Sequence, residues 1–180
     1  ALPISTAIPG TEGGFGPFFS PDGQWIGFFT DTEIKKVSVN GGPSVVVFNR
    51  GSNRLAAARV WGATWGADDR IVIGGGDLSL ISGQGGARKT LLAADPAKQA
   101  VYTSPEFLPD GKTLLFTTLV SGDWEQAEIS VLPEGGSPRV LIKGGASPRY
   151  AAPGYLLFMR SGTLMAAPFD ASGLKVMGAA

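Results

Sequence analysis

The sequence contains no histidine and no cysteine among its 180 residues. Without histidine it has no Ser-His-Asp catalysis, no imidazole general base and no histidine metal ligand. Without cysteine it has no disulfide, no thiolate nucleophile and no cysteine-bound zinc. We therefore expect no catalytic residue of these kinds, no metal site and no cofactor.

The sequence also has no excess of either charge and no long apolar run. Fifteen basic residues balance fifteen acidic ones. A strong positive field is what nucleic acids and acidic membranes require, so we expect neither as a partner. No run of about 18 apolar residues occurs, so we expect no membrane insertion.

Glycine and proline are abundant instead, with 27 and 13 residues. Both residues interrupt helices, which argues against a helical bundle. Hydrophobic residues make up 43% of the chain, enough to build a core. The combination favours many short strands joined by tight turns.

Four segments, about 44 residues apart, share one pattern, and such a period indicates a repeat architecture. Each segment holds an aromatic residue, a turn and a run of β-formers, in residues 18–28, 64–73, 106–116 and 149–158. The aromatic residues are Phe19, Trp65, Phe107 and Tyr150, which lie 46, 42 and 43 positions apart.

The second half of each unit recurs too. Residues 34–39 alternate apolar and polar side chains, as strands do. Glycine pairs at 41–42, 85–86 and 135–136 indicate tight turns before a further strand. Each unit therefore predicts four strands, here a to d, which is the content of a propeller blade.

The turn between strands a and b has its own chemistry at residues 20–23 and 108–111, which both contain Pro-Asp-Gly. Proline fixes φ, aspartate bonds the nearby backbone, and glycine adopts positive φ. Because Asp22, Asp69 and Asp110 recur at the same place, we interpret them as folding residues rather than catalytic ones.

These residues resemble a known repeat. The segment FSPDGQWIGF at 19–28, followed by VSVNGG at 37–42, resembles the TolB-like, WD-related propeller repeat. It is similar in style to propellers attached to bacterial serine/threonine protein kinases, although the kinase motifs are absent. The resemblance implies a β-propeller and an extracytoplasmic or periplasmic location. The second unit departs from the pattern at Asp69, and the fourth lacks the aspartate.

We therefore predict an all-β chain, a β-propeller of about four four-stranded antiparallel blades forming a single array over residues 1–180. Strand d of the fourth unit has no counterpart in the sequence pattern, and residues 1–9 look like an isolated closing outer strand. The predicted blades span about 16–48, 62–92, 104–142 and 148–178.

Three arrangements of the ring remain open. Four blades can close on themselves, two chains can form an eight-bladed ring as a homodimer, or the chain can belong to a longer propeller. An open half-ring would expose two blade faces and an unpaired edge, which argues for closure. The resemblance favours the dimer, because blades of this sequence type normally pack at the shallower angles of larger rings.

The connections between blades are the expected binding surface, since propeller loops gather on one face of a rigid scaffold. Glu106 and Arg149 occupy equivalent places in strand a of adjacent blades, so we expect them to pair near the channel. The candidate binding residues are Arg54, Arg59, Trp61, Tyr102, Glu106, Trp124 and Arg149.

The leading hypothesis is a non-enzymatic scaffold or sensor that binds a protein or peptide through its loop face and self-assembles. The alternative is a small-ligand or hydrolytic site in the channel, using carboxylates such as Glu106. A glycosidase needs two converging carboxylates. The positions equivalent to Glu106 hold Phe18, Thr64 and Arg149, none of them acidic.

Overall fold

A computed structural model of the protein describes residues 7–51 and 61–180. This part of the chain forms sixteen β-strands in four sheets. The first two blades contain β1 (Phe15–Phe19), β2 (Trp25–Phe29), β3 (Glu33–Ser38), β4 (Val45–Asn49), β5 (Ala63–Trp65), β6 (Arg70–Ile73), β7 (Leu78–Ser82) and β8 (Lys89–Leu92). The other two contain β9 (Ala100–Phe107), β10 (Leu114–Val120), β11 (Asp123–Leu132), β12 (Arg139–Lys143), β13 (Ala146–Ala151), β14 (Tyr155–Arg160), β15 (Thr163–Asp170) and β16 (Lys175–Val176).

Each sheet is an antiparallel meander of four strands consecutive in sequence. The first strands of neighbouring blades lie side by side, β1 against β5, β5 against β9 and β9 against β13. They form the inner layer, while the fourth strands are outermost. The predicted all-β propeller of four four-stranded blades is confirmed.

The core lies between the blades, because each sheet buries the face that it turns toward a neighbouring blade. Between blades one and two, Phe18 packs on Phe29 and on Trp65, with ring centroids 5.6 and 6.1 Å apart. Between blades three and four, Leu115, Ile129, Leu156 and Phe158 share an apolar cluster. The apolar stripes predicted from alternation therefore build the interfaces that hold the blades together.

The turns between strands a and b form as predicted in blades one and three. Gly23 donates its N–H to the Ser20 carbonyl and Gly111 to that of Leu108, each at 2.9 Å. Their φ angles are +67° and +65°. In blade two, Asp68 and Asp69 occupy the left-handed region without any glycine, at φ 56° and 59°.

The fourth blade has an outer strand of its own, so the expectation that it lacks strand d is wrong. Strand β16 pairs with β15 through Phe169 and Val176. A turn with Leu174 at φ 52° brings these residues back along the sheet, a geometry that glycine-based turn signals do not reveal. Residues 1–6 of the proposed closing strand lie outside the described residues, and residues 7–9 form no strand.

The third blade begins earlier than the predicted residue 104, because β9 starts at Ala100. Its added part pairs with the glycine run of blade two. Gly75 donates to the Tyr102 carbonyl at 2.8 Å, and Tyr102 donates to that of Gly76 at 2.8 Å. The glycines that join β6 to β7 therefore also link blade two to blade three.

Candidate functional site

Two tryptophans from different blades meet on the protein surface. Trp61 lies two residues before the inner strand of blade two, and Trp124 is the second residue of the third strand of blade three. Their ring centroids lie 6.1 Å apart with planes inclined by 58°. Trp61 is 38% and Trp124 49% exposed, so the pair presents a large aromatic surface to solvent.

Backbone hydrogen bonds fix the position of Trp61. Its N–H donates to the Gly74 carbonyl at 3.2 Å, and its carbonyl accepts from the Ser104 N–H at 2.6 Å. A Cβ on Gly74 would lie 3.0 Å from the Thr103 Cα, so glycine permits the close approach of β9. The loop carrying Trp61 is thus tied to blades two and three.

Trp124 lies on strand β11, next to the turn that joins this strand to β10. The turn between β10 and β11 is confined to Ser121 and Gly122, both with positive φ. The flanking carboxylates both accept side-chain hydrogen bonds. Asp123 accepts from the side chain of Gln126 at 2.8 Å, and Glu125 from the Ser161 hydroxyl at 2.6 Å.

The predicted pair of Glu106 and Arg149 forms. The Arg149 guanidinium lies 3.1 Å from Glu106 Oε2, and the Tyr150 N–H donates to Oε1 at 2.7 Å. The Glu106 side chain is 20% exposed and that of Arg149 53% exposed. The pair therefore connects β9 with β13 at the inner strands, with its carboxylate mostly buried and its guanidinium about half exposed.

Burial raises the pKa of the Glu106 carboxyl above its ordinary value, although the bond from Tyr150 and the charge of Arg149 act in the opposite direction. Both carboxylate oxygens have donors within the protein. The strand register places Phe18, Thr64 and Arg149 at the equivalent inner positions. No second carboxylate therefore shares this level of the inner strands, within the residues that the structure describes.

The remaining candidates lie elsewhere. Tyr102, expected in a connecting loop, belongs to β9 and is only 9% exposed. Its ring packs edge-on against Phe116 at 5.4 Å, because β9 extends past its predicted start and carries Tyr102 into the core. Arg54 and Arg59 lie outside the described residues.

The sequence indicates Trp61 and Trp124 as separate candidates but does not reveal their contact. They are 63 residues apart and belong to different repeat units. No local pattern relates the loop after one blade to a strand two blades later. Only the packing of blade two against blade three brings the rings together.

Over residues 7–51 and 61–180, no three acidic side chains gather as ligands for a metal ion. Nor does any helix in this part of the chain have the length and apolar character to cross a membrane.

Solved structures similar to this chain are β-propeller proteins. The calcium-binding protein regucalcin from Agrobacterium tumefaciens matches with a TM-score of 0.68 and 16% identity over 92% of this chain and 57% of that chain. A putative TolB from the same organism gives 0.67 and 17% over 92% and 61%. A luciferin-regenerating enzyme gives 0.66 and 14% over 92% and 58%.

The chain thus spans about three fifths of the length of these structures. No protein-family model matches it, and no curated protein does. At these identities the likeness establishes the fold. The resemblance to TolB-like propellers is confirmed at that level, while the similarity to kinase-attached propellers stays a prediction.

Proposed function

We propose that this chain is a non-enzymatic propeller module that binds a protein or peptide, with Trp61 and Trp124 at the centre of the contact. The observation that carries the proposal is the exposed aromatic pair built by two blades. Tryptophan dominates binding hot spots because it buries a large, rigid area at little entropic cost.

The pair is held ready for binding. Trp61 is fixed by two backbone hydrogen bonds and Trp124 by its place in β11. A partner therefore does not have to order these backbones, which lowers the entropic cost of association. The neighbouring carboxylates of Asp123 and Glu125 give the aromatic centre a polar rim, as protein interfaces have.

Peptide display against the intact chain tests this proposal. Peptides selected on the wild type should lose at least about tenfold in affinity for Trp61→Ala and for Trp124→Ala, roughly 1.4 kcal/mol each. Tyr155→Ala is the matched control, since Tyr155 is a 46% exposed aromatic residue on blade four. It should retain binding.

Circular dichroism should show all three variants folded, because each removes an exposed ring. The proposal fails if selection yields no peptide whose affinity depends on either tryptophan. It also fails if Tyr155→Ala weakens the selected peptides as much as the tryptophan variants do.

A further inference from the structure

One position in the repeat carries a charge where the other blades carry apolar side chains. Lys36 on β3 pairs with Gly27 on β2, which pairs with Phe18 on the inner strand. When the same strand pairing is followed in the other three blades, the residues equivalent to Lys36 are Leu80, Val131 and Ala166. The fold therefore accepts an apolar residue here, and the blade architecture does not account for the lysine.

Lys36 is buried, with only 8% of its surface exposed. Its Nζ lies 4.9 Å from the ring centroid of Trp25 and 5.8 Å from that of Trp65. Among the described residues it makes neither an ion pair nor a hydrogen bond. Cation–π attraction to the two rings favours the ammonium group at this place.

The ammonium group borders a cavity of about 330 Å³ between blades one and two, lined also by both tryptophans. This volume is in the range of small-molecule sites. Three carboxylates also line the cavity. Asp69 accepts hydrogen bonds from Trp65 Nε1 and from the Gln84 side chain, whereas Asp22 and Asp68 are exposed on the two turns at its edge. The cavity thus has a cation inside and anions at its entrance.

We propose that this cavity binds a small zwitterion of the α-amino-acid type with an apolar side chain. Its carboxylate pairs with Lys36 Nζ, its ammonium group faces Asp22 and Asp68, and its side chain packs against Trp25. A simple anion would meet the carboxylates at the mouth, and a simple cation would meet Lys36. Only a ligand with both charges complements both ends of the cavity.

This site is independent of the Trp61–Trp124 pair, and the experiment separates them. Trp61→Phe and Trp124→Phe together leave Trp25 and Trp65 as the only tryptophans, both at the cavity. In this background, titration with L-leucine should change the fluorescence saturably. Leucinamide, which lacks the carboxylate, and N-acetylleucine, which lacks the ammonium group, should each bind at least about tenfold more weakly.

Lys36→Met should reduce L-leucine affinity at least about tenfold, and isothermal titration should agree. It should fold, because the other blades have apolar residues at this position. Lys35→Met is the matched control. Lys35 is the adjacent residue on the opposite face of β3 and pairs with Glu33 at 3.1 Å, so its loss should leave L-leucine affinity unchanged.

The proposal is overturned if L-leucine shows no saturable binding at concentrations up to about 10 mM. It is overturned equally if Lys36→Met binds like the wild type. If Lys36→Met does not fold, the titrations of the Trp61→Phe, Trp124→Phe protein provide the test. Equal affinities of that protein for L-leucine and leucinamide would reject the contact between Lys36 and the ligand carboxylate.

Discussion

Single aspartates stabilise the turns between strands a and b by accepting hydrogen bonds from neighbouring turn residues. Asp110 accepts from the Thr113 hydroxyl at 2.6 Å and from the Lys112 N–H at 2.9 Å. Burial acts to raise the pKa of Asp110, but these hydrogen bonds outweigh it and leave the pKa lowered. Asp22 likewise accepts from the Gln24 N–H at 3.0 Å, so both aspartates bond the turns that contain them, in agreement with a folding role. Asp69 instead accepts from Trp65 Nε1 and from the Gln84 side chain.

Two turn glycines differ in their surroundings, which gives a graded prediction. Gly23→Ala should lower the free energy of unfolding by about 1 kcal/mol, the cost of a Cβ in the left-handed region, and the Tm by about 2–4 °C. Gly111→Ala should lower both more, because its Cβ would lie 3.0 Å from that of Ala67 in blade two, whereas no atom lies within 4 Å at Gly23.

Thermal unfolding followed by circular dichroism measures both variants. Gly178→Ala is the control, since an added Cβ there meets its nearest atom, in Pro168, at an ordinary 3.7 Å. It should leave the Tm unchanged. Equal losses at Gly23 and Gly111 would contradict the inter-blade contact.

At the scale of elements, β9 is the strand on which the neighbouring blades converge. Its first half pairs with the glycine run of blade two through Tyr102. Near its end, Phe107 donates its N–H to the Thr64 hydroxyl at 3.3 Å, and Glu106 bonds to blade four. An eight-residue inner strand can make these links, whereas the three-residue β5 has no room for a comparable set.

The Glu106 link predicts a pH-dependent stability. Its pKa is raised above the ordinary 4.5, so the folded chain holds this proton more tightly than the unfolded chain does. The contribution of Glu106 to the free energy of unfolding therefore falls as the pH rises from about 4.5 through the raised pKa. Glu106→Gln should remove this part of the profile, as urea unfolding at a series of pH values would show.

Asp110→Asn is a control of opposite sign. Because the pKa of Asp110 is lowered, its contribution is present above the ordinary pKa and is lost as the pH falls. Removing it should therefore flatten the acid side of the profile. A Glu106→Gln profile identical in shape to the wild type would show that the buried carboxyl does not affect stability.

At the scale of the whole molecule, blade four presents one of its faces to solvent, and that face is apolar. Its Leu156 and Phe158 face blade three and are buried. The opposite face carries Tyr155, Met159 and Leu164, exposed by 46%, 39% and 65%. Apolar patches of this kind are typical of interaction surfaces. We therefore keep self-association as a prediction and assign it to this face.

Leu164→Glu should convert the self-associated chain into single chains, because a carboxylate buried in an apolar contact has no partner there. Analytical ultracentrifugation at micromolar concentration measures the mass. Val140→Glu, a change at a 43% exposed residue on β12, is the matched control and should leave the assembly intact. A wild type that sediments as single chains would disprove the prediction.

Sequence by itself determined the local architecture of this protein. Alternation specified the strands, and Pro-Asp-Gly and Gly-Gly specified most turns, because these preferences act within a few residues. Register followed from the repeat as well. The equivalence of Glu106 and Arg149 predicted a pair that the structure places 3.1 Å apart.

Tertiary structure decided what lies against each blade. Phe19 and Trp65 are equivalent in sequence, yet Phe19 is 61% and Trp65 only 7% exposed, because blade one covers Trp65. The meeting of Trp61 with Trp124 and the burial of Lys36 have the same origin. Contacts between blades depend on side chains distant in sequence, whereas the repeat pattern describes each blade alone.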